Sequence, residues 1–307
     1  MGGRRGQGRR DAVTRRRFLQ AAAGAGAGGL AAVTARAEAA PASPGGVKTA
    51  RVVLVRDARV LDEGGAVQAD VIGGMLDDAV KELFREADPR AAWAHVAGPQ
   101  DTVGVKTNVW RFLRTPPELQ AAIVRRLMDV GVDENRIGVS DRGVLRMELF
   151  RNTTALVNVR PMRTHHWAGV GSLIKNYIMF SPYPPDWHED SCANLAGLWD
   201  LPMVKGKTRL NILVMLTPLF QSKGPHDYQA RYTWPYKGVL VGTDPVAVDA
   251  TGLRILEAKR RQFFGEDVPF AVSPKHIRVA EEKFALGVAD PERIELRKLG
   301  WADDILI

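Results

Sequence analysis

The stretch from Thr102 to Ser140, TVGVKTNVWRFLRTPPELQAAIVRRLMDVGVDENRIGVS, carries the reading of the fold. It opens on a short β-branched run, Thr102 to Lys106, that reads as a strand. Pro117 to Val130 then reads as a helix, because Pro117 has no N–H to lose in a first turn and Gly131 suits its end. Ile137 to Ser140 is a second strand, closed by Asp141-Arg142-Gly143.

The alternation continues on both sides. Upstream, Arg51 to Val55 (RVVLV) reads as a strand. Ala69 to Ala87 reads as a helix with Ile72, Leu76, Ala79, Val80, Leu83 and Phe84 on one face, stopped by Asp88-Pro89. Downstream, Leu156 to Val159 is a short strand and Ser172 to Phe180 is helical. Leu210 to Leu216 and Gly238 to Val241 are strands, Pro245 to Arg261 and Pro274 to Ala285 are helices, and Ile294 to Leu299 is a candidate to close the sheet. Strands alternating with helices predict an α/β fold: a mixed or mostly parallel central sheet with flanking helices. Its distinctive feature is a long irregular insertion over about 181–236, and long loops in compact domains are usually functional.

The charge is unevenly placed. The 307 residues carry a formal +8. Residues 1–39 hold eight arginines against Asp11 and Glu38, so the remainder is close to neutral and lacks the basic footprint of a nucleic-acid binder. The one cysteine, Cys192, excludes an internal disulfide and an iron–sulfur cluster ligated by cysteines of this chain alone.

Residues 1–39 read as a signal peptide. Arg4 to Arg17 is a basic region, Phe18 to Val33 is apolar but diluted by four glycines, and Ala35-Arg36-Ala37 and Ala37-Glu38-Ala39 offer small-residue cleavage sites. Thr14-Arg15-Arg16-Arg17-Phe18-Leu19-Gln20 resembles the twin-arginine (Tat) motif. The expected partner is therefore the Tat translocation machinery, with membrane contact only in transit and a periplasmic or secreted destination. Residues 40–49 read as a linker, and 50–307 as a single domain.

Four blocks occur in order: Val103-Gly104-Val105-Lys106-Thr107-Asn108, Gly171-Ser172-Leu173-Ile174-Lys175-Asn176, Ser181-Pro182-Tyr183-Pro184, and Gly242-Thr243-Asp244-Pro245-Val246-Ala247-Val248-Asp249. Together they resemble the domain of unknown function 362 family, in its exported twin-arginine branch, over about 50–260. Lys106-Thr107-Asn108 stands where that family usually has Lys-Pro-Asn, and the ferredoxin-type cysteines of some relatives are missing. The resemblance points to sites and assigns no activity.

Lys106 and Asn108 sit at the carboxyl end of a strand, where α/β proteins place ligands. Lys175 and Asn176 repeat the pairing at a helix start. Lysine holds an anion as a point charge and asparagine orients it. Asp244 before Pro245 suits a helix N-cap as well as a ligand contact. Asp249, among Val246, Val248 and Leu253, is expected to be partly buried and paired with Lys106 or Lys175. His226 is a candidate general base, because imidazole titrates near neutrality.

His188 and Cys192 are spaced i, i+4 and on a helical turn would share a face. With one of His165 or His166, which point to opposite sides if extended, they form a candidate site for zinc, copper or iron. His165, His188 and Cys192 are the set singled out. Trp187, Trp199, Trp234 and Tyr236 are expected to cover the core.

These features favour an exported enzyme acting on a small anionic substrate, metal-assisted or not, with Lys106, Lys175 and His226 catalytic. Asn108, Asn176, Asp244 and Asp249 would be ligand-binding. A carrier for a metal ion or acidic metabolite, or an accessory factor for an exported redox protein, fits the same residues without chemistry.

Overall fold

The computed structural model describes residues 48–222 and 227–307. The signal, most of the linker and His226 lie outside the described residues. Eight strands form one mixed sheet: β1 (Ala50–Arg56), β2 (Val103–Lys106), β3 (Ile137–Ser140), β4 (Ala155–His165), β5 (Gly169–Gly171), β6 (Thr208–Leu219), β7 (Gly238–Gly242) and β8 (Ile294–Gly300). The order is β3-β2-β4-β6-β7-β1-β8, with β5 paired to β4. The β2–β3, β2–β4, β4–β6 and β1–β8 pairs are parallel. Strand β7 runs antiparallel to both neighbours. The α/β expectation is met, mostly parallel with β5 and β7 antiparallel to their neighbours.

Helices cover both faces. On one, α1 (Ala69–Phe84), α2 (Pro89–Ala94) and α3 (Pro117–Asp129) pack on Val53, Val55, Val103, Val105, Val157, Ile212 and Val241. On the other, α4 (Glu148–Arg151), α5 (Leu173–Asn176), α7 (Pro245–Phe264) and α8 (His276–Glu282) pack on Val52, Leu54, Leu156, Met162, Leu213 and Leu240. Between them lies α6 (Glu189–Cys192), a single distorted turn. The alternation of buried side chains along each strand produces the two cores.

Several local expectations need correction. Helix α1 ends at Arg85, which adopts φ 59° as its left-handed cap. Asp88-Pro89 does not stop α1 but starts α2, with the Asp88 carboxylate accepting from Ala91 N–H. Strand β3 is an edge of the sheet, so Ile137 and Val139 are only half-buried. Strand β4 runs on past Val159 to His165, because Arg160 and Arg163 are themselves buried there. The stretch 181–207 holds short helical turns and no strand, whereas β6 divides the wider 181–236 segment. Trp187, Trp199, Trp234 and Tyr236 do pack on the core of the second face.

The topology fixes where a ligand belongs. From β2 the chain passes to β3 by way of α3 on one face, then returns by α4 on the other to β4 on the far side of β2. Strand order therefore reverses between β2 and β4, and α/β sheets bind ligands outside the strand carboxyl ends at such a point.

A buried cationic cluster at the ends of β2 and β4

Lys106 is the last residue of β2 and is fully buried. Its Nζ donates to Asp141 Oδ1 at 2.5 Å, to the Thr107 carbonyl at 2.8 Å and to Asn176 Oδ1 at 3.5 Å. Asp141, just past β3, also accepts from Val109 N–H at 3.0 Å, so this carboxylate ties the loop after β2 to the lysine. Burial pulls the Lys106 pKa down to about 8, with Asp141 opposing it. For Asp141, burial pushes upward, but Lys106 outweighs it and keeps the carboxyl below its ordinary value. Both groups are charged at neutral pH.

A row of amides continues across the sheet. Asn176 Nδ2 donates to Asn158 Oδ1 at 2.8 Å, to the Lys106 carbonyl at 3.1 Å and to the Val159 carbonyl at 3.2 Å. Asn158 Nδ2 donates to Asn211 Oδ1 at 3.2 Å and to the Leu173 carbonyl at 3.1 Å. Asn211 Nδ2 in turn reaches the Thr243 carbonyl at 3.1 Å. This fully satisfied network fixes α5 against β2, β4 and β6.

Asp249 of α7 holds the start of α5. It accepts from Ser172 Oγ at 2.6 Å and from the backbone N–H of Leu173 and Ile174, each at 2.9 Å. The expected pairing with Lys106 or Lys175 is not formed, because these three donors already surround the carboxylate. Burial raises its pKa to about 6, against the three hydrogen bonds. Asp244 is an N-cap, as its position before Pro245 suggested. Its oxygens accept from Val246, Ala247 and Val288 N–H at 2.9, 3.1 and 2.9 Å, so backbone amides occupy both. Asn108 accepts from Trp110 N–H at 3.3 Å and shapes the loop after β2.

Arg160 and Arg163 are candidate site residues that sequence reasoning missed. Both are buried. A Cβ on Gly171 would lie 2.9 Å from Arg160 Nη2 and 3.5 Å from Cζ of each arginine, so the two guanidinium groups stand side by side at one backbone notch. Arg163 donates to the Thr164 carbonyl at 3.1 Å and lies 4.2 Å over the Trp110 ring. Arg160 has no hydrogen-bond or salt-bridge partner among the described residues, and its Nε is wholly shielded from solvent. Burial lowers the pKa to about 10 for Arg160 and about 9 for Arg163, leaving both protonated at pH 7.

Lys175 completes the cluster. It is buried on α5, and its Nζ touches Cys192 Sγ at 3.6 Å. Burial, with Arg160 and Arg163 behind it, lowers its pKa to about 8 against the pull of Cys192. Among the described residues, the four buried cations Lys106, Arg160, Arg163 and Lys175 thus face two buried carboxylates, Asp141 and Asp249. Among those residues the deficit is two negative charges, and an interior of low dielectric tolerates that poorly without an anion.

The proposed metal ligands meet Lys175 instead of one another. The Lys175 charge contributes to lowering the pKa of His165, His188 and His276 and holds down that of Cys192, although burial is the largest effect on each. The helical spacing of His188 and Cys192 is not realised. Asp190, Ser191 and Cys192 adopt φ of 47°, 55° and 63°, which turns the thiol toward Lys175. His188 instead packs edge-on against Trp167, with ring centroids 4.4 Å apart. His165 and His166 do not diverge but stack at 4.9 Å, because β4 ends at His165. Among the described residues, no group of three or more His, Cys, Asp or Glu side chains is placed to hold a metal ion.

Residues 134–254 match the family model described as Domain of unknown function (DUF362). The matched stretch contains Asp141, Asn158, Arg160, Arg163, Lys175, Asn176, Cys192 and Asp249, whereas β2 with Lys106 precedes it and α8 with His276 follows. The cationic cluster is therefore drawn chiefly from the stretch that matches DUF362, with one lysine from outside it. No curated protein and no solved structure matches the chain significantly.

Proposed function

We propose that the protein is an exported enzyme that acts on a small anion held by Lys106, Arg160, Arg163 and Lys175. The observation that carries this reading is Arg160: a buried guanidinium with no hydrogen-bond or salt-bridge partner among the described residues, beside a second arginine, in a cluster with fewer carboxylates than cations there. Arginine presents a planar fork that matches a carboxylate or phosphate bidentately. An anion in that place would supply the missing charge and satisfy the fork together.

The residues divide by role. Lys106 and Asp141 are locked together and set the charge of the site, with Asn176 and Asn158 fixing their geometry. Lys175, which has no carboxylate partner among the described residues and a pKa of about 8, is the group able to give or take a proton near neutrality. It replaces His226 as the leading candidate for that task. The arginine-rich leader, with Arg15, Arg16 and Phe18 in twin-arginine order, supports delivery by the Tat machinery to the periplasm or beyond.

Thermal shift at constant ionic strength tests the binding half. Sulfate, phosphate and small carboxylates should raise the melting temperature of the native chain, and Arg160→Gln should remove the rise. No stabilisation by any of these anions would overturn the reading. Turnover of a bound anion, lost in Lys175→Met, separates an enzyme from a carrier.

A further inference from the structure

The two lysines of the cluster differ in one respect that matters chemically. Lys106 is bound to a carboxylate at 2.5 Å, which holds it as a cation and blocks its lone pair. Lys175 is equally buried but meets no carboxylate among the described residues; its contact is the Cys192 thiol at 3.6 Å. The charged neighbours that act on it are Arg160 and Arg163, and both discourage protonation. Desolvation next to other cations is the arrangement that converts lysine into an amine nucleophile.

From this placement we infer that Lys175 forms a Schiff base with a 2-oxo acid whose carboxylate is held by Arg160. The inference rests on the anion reading above and names its substrate class. In the step, the Nζ lone pair attacks the carbonyl carbon and a C–N bond forms. The two nitrogen protons leave with the carbonyl oxygen as water, so C=N replaces C=O, and uptake of one proton gives the iminium. No oxidant or reductant enters.

The surroundings of Lys175 suit this chemistry. Its pKa of about 8 leaves a usable fraction of free amine at mildly alkaline pH. His165 and His276, which face it from β4 and α8, are kept neutral by burial and add no positive charge. His188, on the 181–207 stretch, is likewise biased toward the neutral form. The thiol of Cys192, whose own pKa burial raises, stays protonated beside the amine as a weak donor. A cavity of about 230 Å³ lined by Thr164, His165, Gly169 and Val272 lies at the end of β4, beyond His165 and not lined by Lys175 or Arg160 themselves. Three consecutive left-handed residues hold Cys192 against Lys175, a costly conformation of the kind that collects at functional sites.

The test is reductive trapping. The full-length exported protein is incubated with pyruvate, glyoxylate or 2-oxoglutarate and sodium cyanoborohydride, then mapped by peptide mass spectrometry. The expected result is one secondary-amine adduct on Lys175, none on Lys106, and none with lactate. Lys175→Arg should abolish it, and Arg160→Gln should lower its yield about tenfold, the loss of one charge-assisted contact. If these acids raise the melting temperature through Arg160 but leave no adduct on Lys175, the Schiff-base inference fails and the anion reading stands. If they neither stabilise nor react, both fail. An adduct spread over surface lysines and unchanged in Lys175→Arg also overturns the inference.

Discussion

Asp249 and Ser172, 77 residues apart in sequence, meet at 2.6 Å in the core, and this contact holds Lys175 in place. The carboxylate also accepts from Leu173 and Ile174 N–H, so the one turn of α5 is fastened to α7 at its first residues. Lys175 and Asn176 close that same turn.

Asp249→Asn should therefore destabilise the protein by about 1–3 kcal/mol, because an amide cannot accept from all three donors and leaves at least one buried N–H or O–H unmet. The effect carries a pH signature. The folded pKa is raised from 3.8 to about 6, so the folded state keeps a proton that the unfolded state releases. Stability from this group falls as pH rises from about 4 to about 6 and is level above that. Chemical denaturation across this range should show the slope in the native chain and its absence in Asp249→Asn.

Breaking the Lys106–Asp141 pair should be more costly. Asp141→Asn leaves a fully buried ammonium without its counter-charge, and a loss of about 3–5 kcal/mol is expected in urea unfolding. Lys106→Met combined with Asp141→Leu should recover most of that loss while leaving the anion site weaker. A double variant as unstable as Asp141→Asn would mean that the carboxylate has another structural role.

Lys175→Met is expected to behave in the opposite way. It removes a buried cation that has no carboxylate partner among the described residues, so ligand-free stability should be unchanged or higher by up to about 2 kcal/mol. Anion binding should drop sharply in the same variant. A large loss of stability would identify Lys175 as a structural residue.

Gly171→Ala probes the arginine notch without touching a charge. Its Cβ would press on Arg160 Nη2 at 2.9 Å, displacing the end of a long side chain and not the backbone. The expected outcome is a modest change in melting temperature and weaker binding of sulfate, read by calorimetry.

Some of this was open to sequence reasoning. The sequence pairs Lys106 with Asn108 and Lys175 with Asn176, whereas in the structure it is Lys106 and Asn176, one at a strand end and the other on a helix, that meet at 3.5 Å. Asp244 before Pro245 announced a cap, and is one. Arg160 and Arg163 escaped because charged residues in V-R-P-M-R argue against a buried strand, so β4 was cut at Val159. Their burial is what makes them candidates and also the reason for the error. Asp141 was read only as a strand terminator, since nothing local shows that β2 and β3 end side by side. The Lys175–Cys192 contact depends on left-handed backbone at Asp190, Ser191 and Cys192, residue types that do not advertise it.

Export is tested independently of the site. Changing Arg15, Arg16 and Arg17 together to Lys should leave an uncleaved precursor in the cytoplasm, detected by fractionation, with the folded domain unaffected. Normal export of that variant would remove the twin-arginine assignment.

The central claim is that the Arg160 fork receives an anion. Anomalous diffraction from crystals grown with selenate at low concentration addresses it directly. The account predicts a selenium peak within hydrogen-bond distance of the Arg160 guanidinium, beside Arg163 and Lys175, that disappears in Arg160→Gln. Selenate bound only at the protein surface, with Arg160 still unpaired or turned onto a backbone carbonyl, would contradict it.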